Sequence, residues 1–226
     1  KRQIYKLIAN IGQQQNADSE ETLTFMKKYF DYFEDPDEAS DSFETALECM
    51  RNAVILALKV SYRFDDLLSC KLLEGLKKKG GDDALYYRIV EIFTKEDTSS
   101  FMEFEKANKS FLEKTGLNSE QLLEKMRLIS LITLCSVEST LPYSKVAQAL
   151  QTDEENVERW VIKAIAAKVI TARLDQNTSS VIVTHSLLRS FGPPEWKDLQ
   201  GRLKTWKQNI DKLVTVVSEA IQQPTE

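Results

Sequence analysis

Apolar residues recur three or four positions apart through the first two-thirds of the chain, the spacing of one face of an α-helix. The pattern predicts a run of helices over residues 1–14, 18–33, 38–60, 65–79, 82–95, 101–116 and 119–137. Asp18 with Glu21 predicts a capping box, Pro36 a break, and Asn118 a cap for the last helix. That last helix is apolar on nearly every side, so we expect it to be buried between two bodies of structure.

Helices therefore begin about every 15–20 residues, a spacing typical of an α-solenoid built from antiparallel helix pairs. No side-chain signature repeats at that period, so the prediction rests on helix spacing alone. A compact irregular bundle is the alternative. The expected fold is mainly α, with this helical-repeat stack as its first part.

From residue 141 the pattern changes. Residues 141–150 predict a short helix, residues 151–153 a turn with Thr152 or Asp153 as cap, and the residues from Val157 to Ile165 a second helix. Two β-like segments follow at 169–174 and 181–184, joined by a polar turn. Helix, turn, helix and β-hairpin is the order of a winged-helix domain.

The last helix is predicted to begin near residue 195, after Pro193 and Pro194. Its apolar residues alternate in steps of three and four, which is the pattern of a coiled-coil contact line. We call this line the seam; it consists of Trp196, Leu199, Leu203, Trp206, Ile210, Leu213, Val217 and Ala220. A helix of about 26 residues spans about 39 Å. We expect it to extend beyond the winged helix and pack against other proteins, with packing inside its own chain as the alternative.

The composition agrees with a helical protein that has a sizeable core. Of the 226 residues, 42% are hydrophobic, and only 7 are Gly and 5 are Pro. The net charge of −5 counts against nucleic-acid binding through bulk charge. No signal peptide or membrane-spanning stretch is present, and the chain begins with Lys1 inside a helical pattern, as expected of a fragment of a longer protein.

Candidate chemistry is sparse, so we expect no catalytic, cofactor-binding or metal-binding residues. Cys49, Cys70 and Cys135 are widely spaced and are expected to be small buried hydrophobes in a reducing compartment. His185 is the one histidine, too little for a metal site or a Ser-His or Cys-His pair. Phosphate-binding and nucleophile motifs are absent from the sequence, and the basic run at 77–81 is expected to be a solvated helix end, with an acidic or RNA contact as the alternative.

Charge also argues against duplex DNA as the ligand of the winged helix. Its second helix would enter the major groove, but Glu154, Glu155 and Glu158 stand near its beginning, against Arg159 and Lys163. The alternative use of such a domain is structural, with the open edge of its hairpin paired to a strand of a neighbouring protein.

Several strings of residues stand out, namely 124–128, 157–176 with Leu174-Asp175-Gln176 at the hairpin turn, 183–186, 189–192 and 203–209, and more weakly 63–68 and 72–75. They resemble the PCI module, the family named for the proteasome lid, the signalosome and translation initiation factor 3. The Ser190-Phe191-Gly192 string and the string around Trp206 favour the initiation-factor members over the signalosome ones. The region of Gly80 and Gly81 departs from the pattern.

The resemblance implies a non-catalytic scaffold subunit of an initiation-factor-3-type complex in the cytoplasm. Residues 1–118 would be the helical-repeat domain, 119–192 the junction helix and winged helix, and 193–226 a helix for bundling. Partners would be other subunits of the complex and, indirectly, the small ribosomal subunit, to which the factor brings mRNA and initiator tRNA; direct nucleic-acid contact and membranes are not expected. The rival assignments are a signalosome or proteasome-lid subunit and a winged-helix nucleic-acid-binding protein. The implied contact residues are Val169, Thr171, Val181 and Val183 in the hairpin, with Trp196, Leu199, Leu203, Trp206, Ile210, Leu213 and Val217 of the seam.

Overall fold

The computed structural model describes residues 19–31 and 41–222. The helix predicted at 1–14 and the break at Pro36 lie outside these residues. In chain order the described helices and strands are α1 (Glu20–Phe30), α2 (Asp41–Val60), α3 (Asp65–Leu68), α4 (Lys71–Lys79), α5 (Asp82–Lys95), α6 (Thr98–Ala107), α7 (Lys109–Thr115), α8 (Ser119–Val137), β1 (Thr140–Pro142), α9 (Tyr143–Leu150), a 3₁₀ turn (Glu154–Asn156), α10 (Val157–Ala166), β2 (Ile170–Asp175), β3 (Ser180–Ser186) and α11 (Pro193–Gln222).

Side-chain caps fix two of the helix beginnings. Asn118 caps α8 as predicted, because its side-chain oxygen accepts from the backbone N–H of Glu120 at 2.9 Å. At α1 the prediction was wrong: the cap is Ser19, whose hydroxyl accepts from the N–H of Thr22 at 3.2 Å. This helix also ends at Phe30, earlier than expected.

Two predicted helices are each divided in the structure. The helix expected over 65–79 is interrupted at Cys70, whose backbone is extended, so that α3 and α4 are separate. The helix expected from Phe101 to Gly116 is interrupted at Asn108, whose side-chain amide donates to the carbonyl oxygen of Phe104 at 3.1 Å. An Asn side chain can hydrogen-bond a helix carbonyl in place of a backbone N–H, which allows the backbone to end the helix there.

Helix α8 joins two hydrophobic cores, as the apolar pattern of residues 119–137 predicted. Leu122, Met126 and Ile129 belong to the first core, which also receives the buried faces of α1 to α7. On the other sides of the same helix, residues such as Leu131 and Ile132 belong to the second core, formed by the winged helix. A single helix therefore supplies side chains to both parts.

The winged helix contains three strands rather than the predicted two. The short strand β1 pairs antiparallel with β3, and β3 pairs antiparallel with β2, so the order in the sheet is β1-β3-β2. The sequence pattern missed β1 because only three residues form it and one of them is Pro142. As a consequence β3 is the central strand, and β2 is an outer one.

The chain divides into two compact units, residues 1–190 and residues 191–226. The second unit begins with a local cap: the Glu195 carboxylate accepts from the Gly192 N–H at 2.7 Å. The Phe191 ring meets the edge of the Trp196 ring, with centroids 4.9 Å apart. Pro193 then occupies the first position of α11, where a missing N–H costs no hydrogen bond.

Candidate interaction surfaces

Strand β2 presents an open backbone edge within the first unit. Its register with β3 is continuous except for an irregularity at Thr171 and Ala172, and no described residue of that unit forms a strand on its other side. The backbone N–H and C=O groups along an unpaired edge can accept another strand. The expected edge contact is therefore restricted to β2, because β3 is already paired on both sides.

The hydrogen-bond alternation of an antiparallel sheet shows which β2 groups point outward. The N–H of Val183 donates to the Ser139 carbonyl at 2.7 Å, toward β1, so the adjacent residue Ile182 points toward β2. Ile182 is the partner of Arg173 in the register. It follows that Arg173 directs its backbone groups to β3, while Ala172 and Leu174 direct theirs outward.

The four hairpin residues expected to contact partners differ in position. Val169, Val181 and Val183 have buried side chains that belong to the second core, whereas Thr171 is exposed on β2. Buried valines hold the sheet to its helices and cannot offer side chains to a partner. A partner strand would instead meet the β2 backbone and the side chain of Thr171.

The seam of α11 is exposed along its described length. Exposure is 61% for Trp196, 64% for Trp206 and 64% for Leu213, values far above those of core residues. The other described seam residues are also exposed, namely Leu199, Leu203, Ile210 and Val217; the side chain of Ala220 lies outside the described ones. Exposed apolar lines of this length are uncommon on soluble proteins.

The seam becomes wider in its second half. Val214 and Val216 lie on either side of it and are 58% and 60% exposed, so the apolar face around Leu213 is broader than the face around Leu203. One neighbouring helix can bury a narrow apolar line, whereas burying a broad apolar face takes helices on two sides. The second half therefore suits a position among several helices.

The second helix of the winged helix, α10, has two of its three charged residues, Glu158 and Lys163, engaged in local contacts. Lys163 forms an ion pair with Glu124 at 2.5 Å, and Lys163 and Arg127 each lie 5.4 Å from the centre of the Trp160 ring. Glu158 accepts from the Tyr143 hydroxyl at 3.1 Å. A helix with this mixture of charges does not form the basic surface that DNA phosphates need.

Lys125 of α8 is a buried basic residue whose side chain lies at the C-terminal end of α2. Its ammonium nitrogen donates to the carbonyl oxygens of Leu58 at 2.6 Å and Ala57 at 3.2 Å, in the last turn of α2. The rings of Tyr62 and Phe64 lie 5.1 and 5.9 Å away. Burial lowers the pKa of Lys125 to about 7, while the two carbonyls and two rings favour its charged form.

Arg189 closes the end of α5 in a similar way. Its guanidinium donates to the carbonyl oxygens of Ile92 at 2.9 Å, Phe93 at 3.1 Å and Glu96 at 2.6 Å. The Ile92 carbonyl also accepts from the backbone N–H of Glu96 at 3.0 Å, so Arg189 adds a second donor there. A cation at the C-terminal end of a helix interacts favourably with the helix dipole. Lys125 and Arg189 thereby fix the winged-helix part of the first unit to its helical stack.

Sequence reasoning did not single out these two cations. A signal for Lys125 was present, since it stands three residues from both Leu122 and Leu128 and so lies on the buried face of α8. For Arg189 no such signal exists, because it follows β3 outside any periodic segment and its acceptors lie more than ninety residues away.

The three cysteines differ in burial. Burial raises the pKa of the Cys135 thiol to about 11, far from a reactive thiolate. Cys70 is only half-buried, contrary to the expectation that all three cysteines are buried. In the described ranges, no group of three or more His, Cys, Asp or Glu residues could hold a metal ion. No helix in those ranges is long and apolar enough to span a membrane.

Comparison with known proteins agrees with the fold just described. Residues 104–185, from Phe104 in α6 to His185 in β3, match the family model for the PCI domain. This part of the chain is similar to the PCI domain. Residues 189–217 match a second model, described as the C-terminal helix of eIF3 subunit M. This second match includes every seam residue from Trp196 to Val217 and ends before Ala220.

Similar proteins include eukaryotic translation initiation factor 3 subunit M of three organisms. The chain is 34% identical to that of Dictyostelium discoideum and 30% identical to that of Anopheles gambiae, in each case over 97% of this chain and 54% of the relative. Identity to the Xenopus tropicalis protein is 32% over 78% of this chain and 46% of the relative. The chain thus spans about half the length of the curated relatives it matches.

Proposed function

We propose that this chain is a non-catalytic scaffold subunit of a translation initiation factor 3 complex in the cytoplasm. Its role would be to hold other PCI and related subunits together, so that the complex can bring mRNA and initiator tRNA to the small ribosomal subunit. The observation that carries the proposal is the exposed seam of α11, within the segment that matches the subunit M helix.

Two surfaces would make the contacts. The seam would be buried in a bundle with helices of other subunits, because exposed Trp, Leu and Ile side chains gain free energy when they leave water. The outward backbone groups of Ala172 and Leu174 would pair with a strand of a neighbouring winged helix. The division into residues 1–118, 119–192 and 193–226 remains part of this proposal, with the last segment serving the bundle.

A single substitution in the seam tests the bundle contact. Trp206→Ala is expected to weaken assembly by about 2 kcal/mol or more, roughly thirtyfold, because large aromatic residues dominate interface energies. The fold should stay intact, since Trp206 is 64% exposed. Affinity capture from cytoplasm followed by quantitative mass spectrometry of the recovered subunits measures the effect.

Gln208→Ala is the matched control, because Gln208 is exposed on the same helix away from the seam. Initiation factor 3 subunits should be recovered with the wild-type chain and with the control, and be lost with Trp206→Ala and on deletion of residues 195–226. Recovery of signalosome subunits instead would reassign the complex. Recovery of salt-labile nucleic acid without partner proteins would contradict the scaffold function.

A further inference from the structure

The residues beside the seam carry a charge pattern that limits which helix can bind. With Trp196, Leu203, Ile210 and Val217 at heptad position a and Leu199, Trp206 and Leu213 at position d, the neighbours at e and g flank the contact. These flanking residues are Glu195, Gln200, Arg202, Lys207, Asn209, Val214 and Val216.

The flanking charges that are available to contact a partner helix are basic. The Glu195 carboxylate is held by the Gly192 N–H in the cap at the start of α11. Arg202 forms an ion pair with Asp198 at 2.8 Å, but both side chains are about two-thirds exposed, at 69% and 65%, so the pair contributes little and can rearrange. Lys207 lies on the opposite flank, one residue from Trp206, and Asp211 follows it on the outer side.

From this pattern we infer that the first half of α11, residues 196–209, binds a helix of another protein whose own flanks are acidic. The inference rests on the scaffold function proposed above and specifies the chemistry of the partner. Flanking charges choose partners in paired helices, because they meet the flanks of the neighbour across the seam. Glu or Asp at those places would meet Arg202 on one side and Lys207 on the other.

A second copy of this chain in a parallel orientation fits the same surface poorly. In a parallel pair, a residue at position g meets the residue at position e of the next heptad on the partner. Arg202 of one copy would then meet Lys207 of the other, on both sides of the pair, and like charges there repel. In the second half the flanks are Val214 and Val216, which carry no charge, so the selection acts in residues 196–209.

Two designed peptides can measure this selection directly. Both have about four heptads with Ile at a and Leu at d; one carries Glu at every e and g position, and the other carries Lys there. Binding to the chain is measured by fluorescence anisotropy at low salt. The Glu peptide is expected to bind roughly tenfold or more tightly than the Lys peptide, since two flanking contacts change from attraction to repulsion.

The double substitution Arg202→Glu with Lys207→Glu should reverse the preference, and high salt should reduce it in both proteins. Lys212→Glu is the matched control, because Lys212 lies on the same helix away from the flanks, and it should leave the preference unchanged. Equal binding of both peptides, binding of neither, or self-association of the wild-type chain as tight as its binding of the Glu peptide would overturn the inference. None of these outcomes depends on whether initiation factor subunits are recovered from cytoplasm, so failure here is distinguishable from failure of the scaffold function.

Discussion

Two basic side chains, Lys125 and Arg189, stand at the C-terminal ends of helices that belong to the first core. Each donates to backbone carbonyls in the last turn of a helix, those of α2 for Lys125 and those of α5 for Arg189. Arg189 stays charged at any pH a cell reaches, although burial lowers its pKa. Lys125 differs, because burial brings its pKa into the physiological range.

Stability should therefore depend on pH through Lys125. Its pKa falls from the ordinary 10.5 to about 7 on folding. Between these values the unfolded chain holds a proton that the folded chain has released, so the free energy of unfolding rises with pH. From pH 7 to 9, the free energy of unfolding of the wild type should rise relative to that of Lys125→Met by at most about 1.4 kcal/mol per pH unit. Below pH 6 the difference between the two proteins should not change with pH.

Urea denaturation at each pH measures this difference. Lys59→Met is the control, since Lys59 is an exposed lysine on α2, and the curve of this variant should run parallel to the wild type. Parallel curves for Lys125→Met as well would show that the two carbonyls and the rings of Tyr62 and Phe64 keep Lys125 charged throughout.

Sequence reasoning at this scale was good for apolar residues and poor for polar ones. Leu47, Met50 and Leu58, expected on one stripe of a helix, are all buried in the first core, because burial of apolar residues follows directly from helical periodicity. Ser19 and Arg189 find partners through local backbone geometry or through folding, which periodicity does not describe.

At the scale of elements, the outer edge of β2 offers a test that leaves side chains almost unchanged. Ala172→Pro would remove an outward N–H, and Pro is tolerated on edge strands where that group is not part of the sheet. The winged helix should keep its fold, while edge pairing with a neighbouring strand should weaken by about 1 kcal/mol or more. Circular dichroism checks the fold, and a competition assay for assembly checks the pairing.

Arg173→Ala serves as the comparison, because it shortens an exposed side chain and leaves the outward backbone groups in place. It should assemble like the wild type. If Ala172→Pro assembled equally well, then the β2 edge would not be a contact, and the seam of α11 would have to account for assembly by itself.

Long helices were predicted more accurately than short strands and helix breaks. The long helices α5 and α8 have the predicted limits, whereas β1, with three residues, was missed and the divisions at Cys70 and Asn108 were not foreseen. Long periodic segments average over many residues, while short strands and breaks depend on pairing and on single polar side chains. The missing strand mattered for the site, since it makes β3 central and leaves β2 as the edge.

Helix α8 makes the helical stack and the winged helix of the first unit depend on each other. Met126 is buried in the first core, and Leu131, a little more than one turn later, is buried in the second. A rigid helix shared by two cores transmits the loss of packing in one of them to the other. The two parts are therefore expected to unfold as one cooperative unit.

Met126→Ala tests this coupling. Removing the side chain should cost about 2–5 kcal/mol in the first core. Hydrogen exchange at increasing urea, measured by mass spectrometry, follows α5 in the first core and α10 in the second within the same sample. Both midpoints should fall by the same amount, and Leu213→Ala in the exposed seam should move neither. A fall confined to α5 would mean that the winged helix folds by itself, and that Lys125 and Arg189 position it without stabilising it.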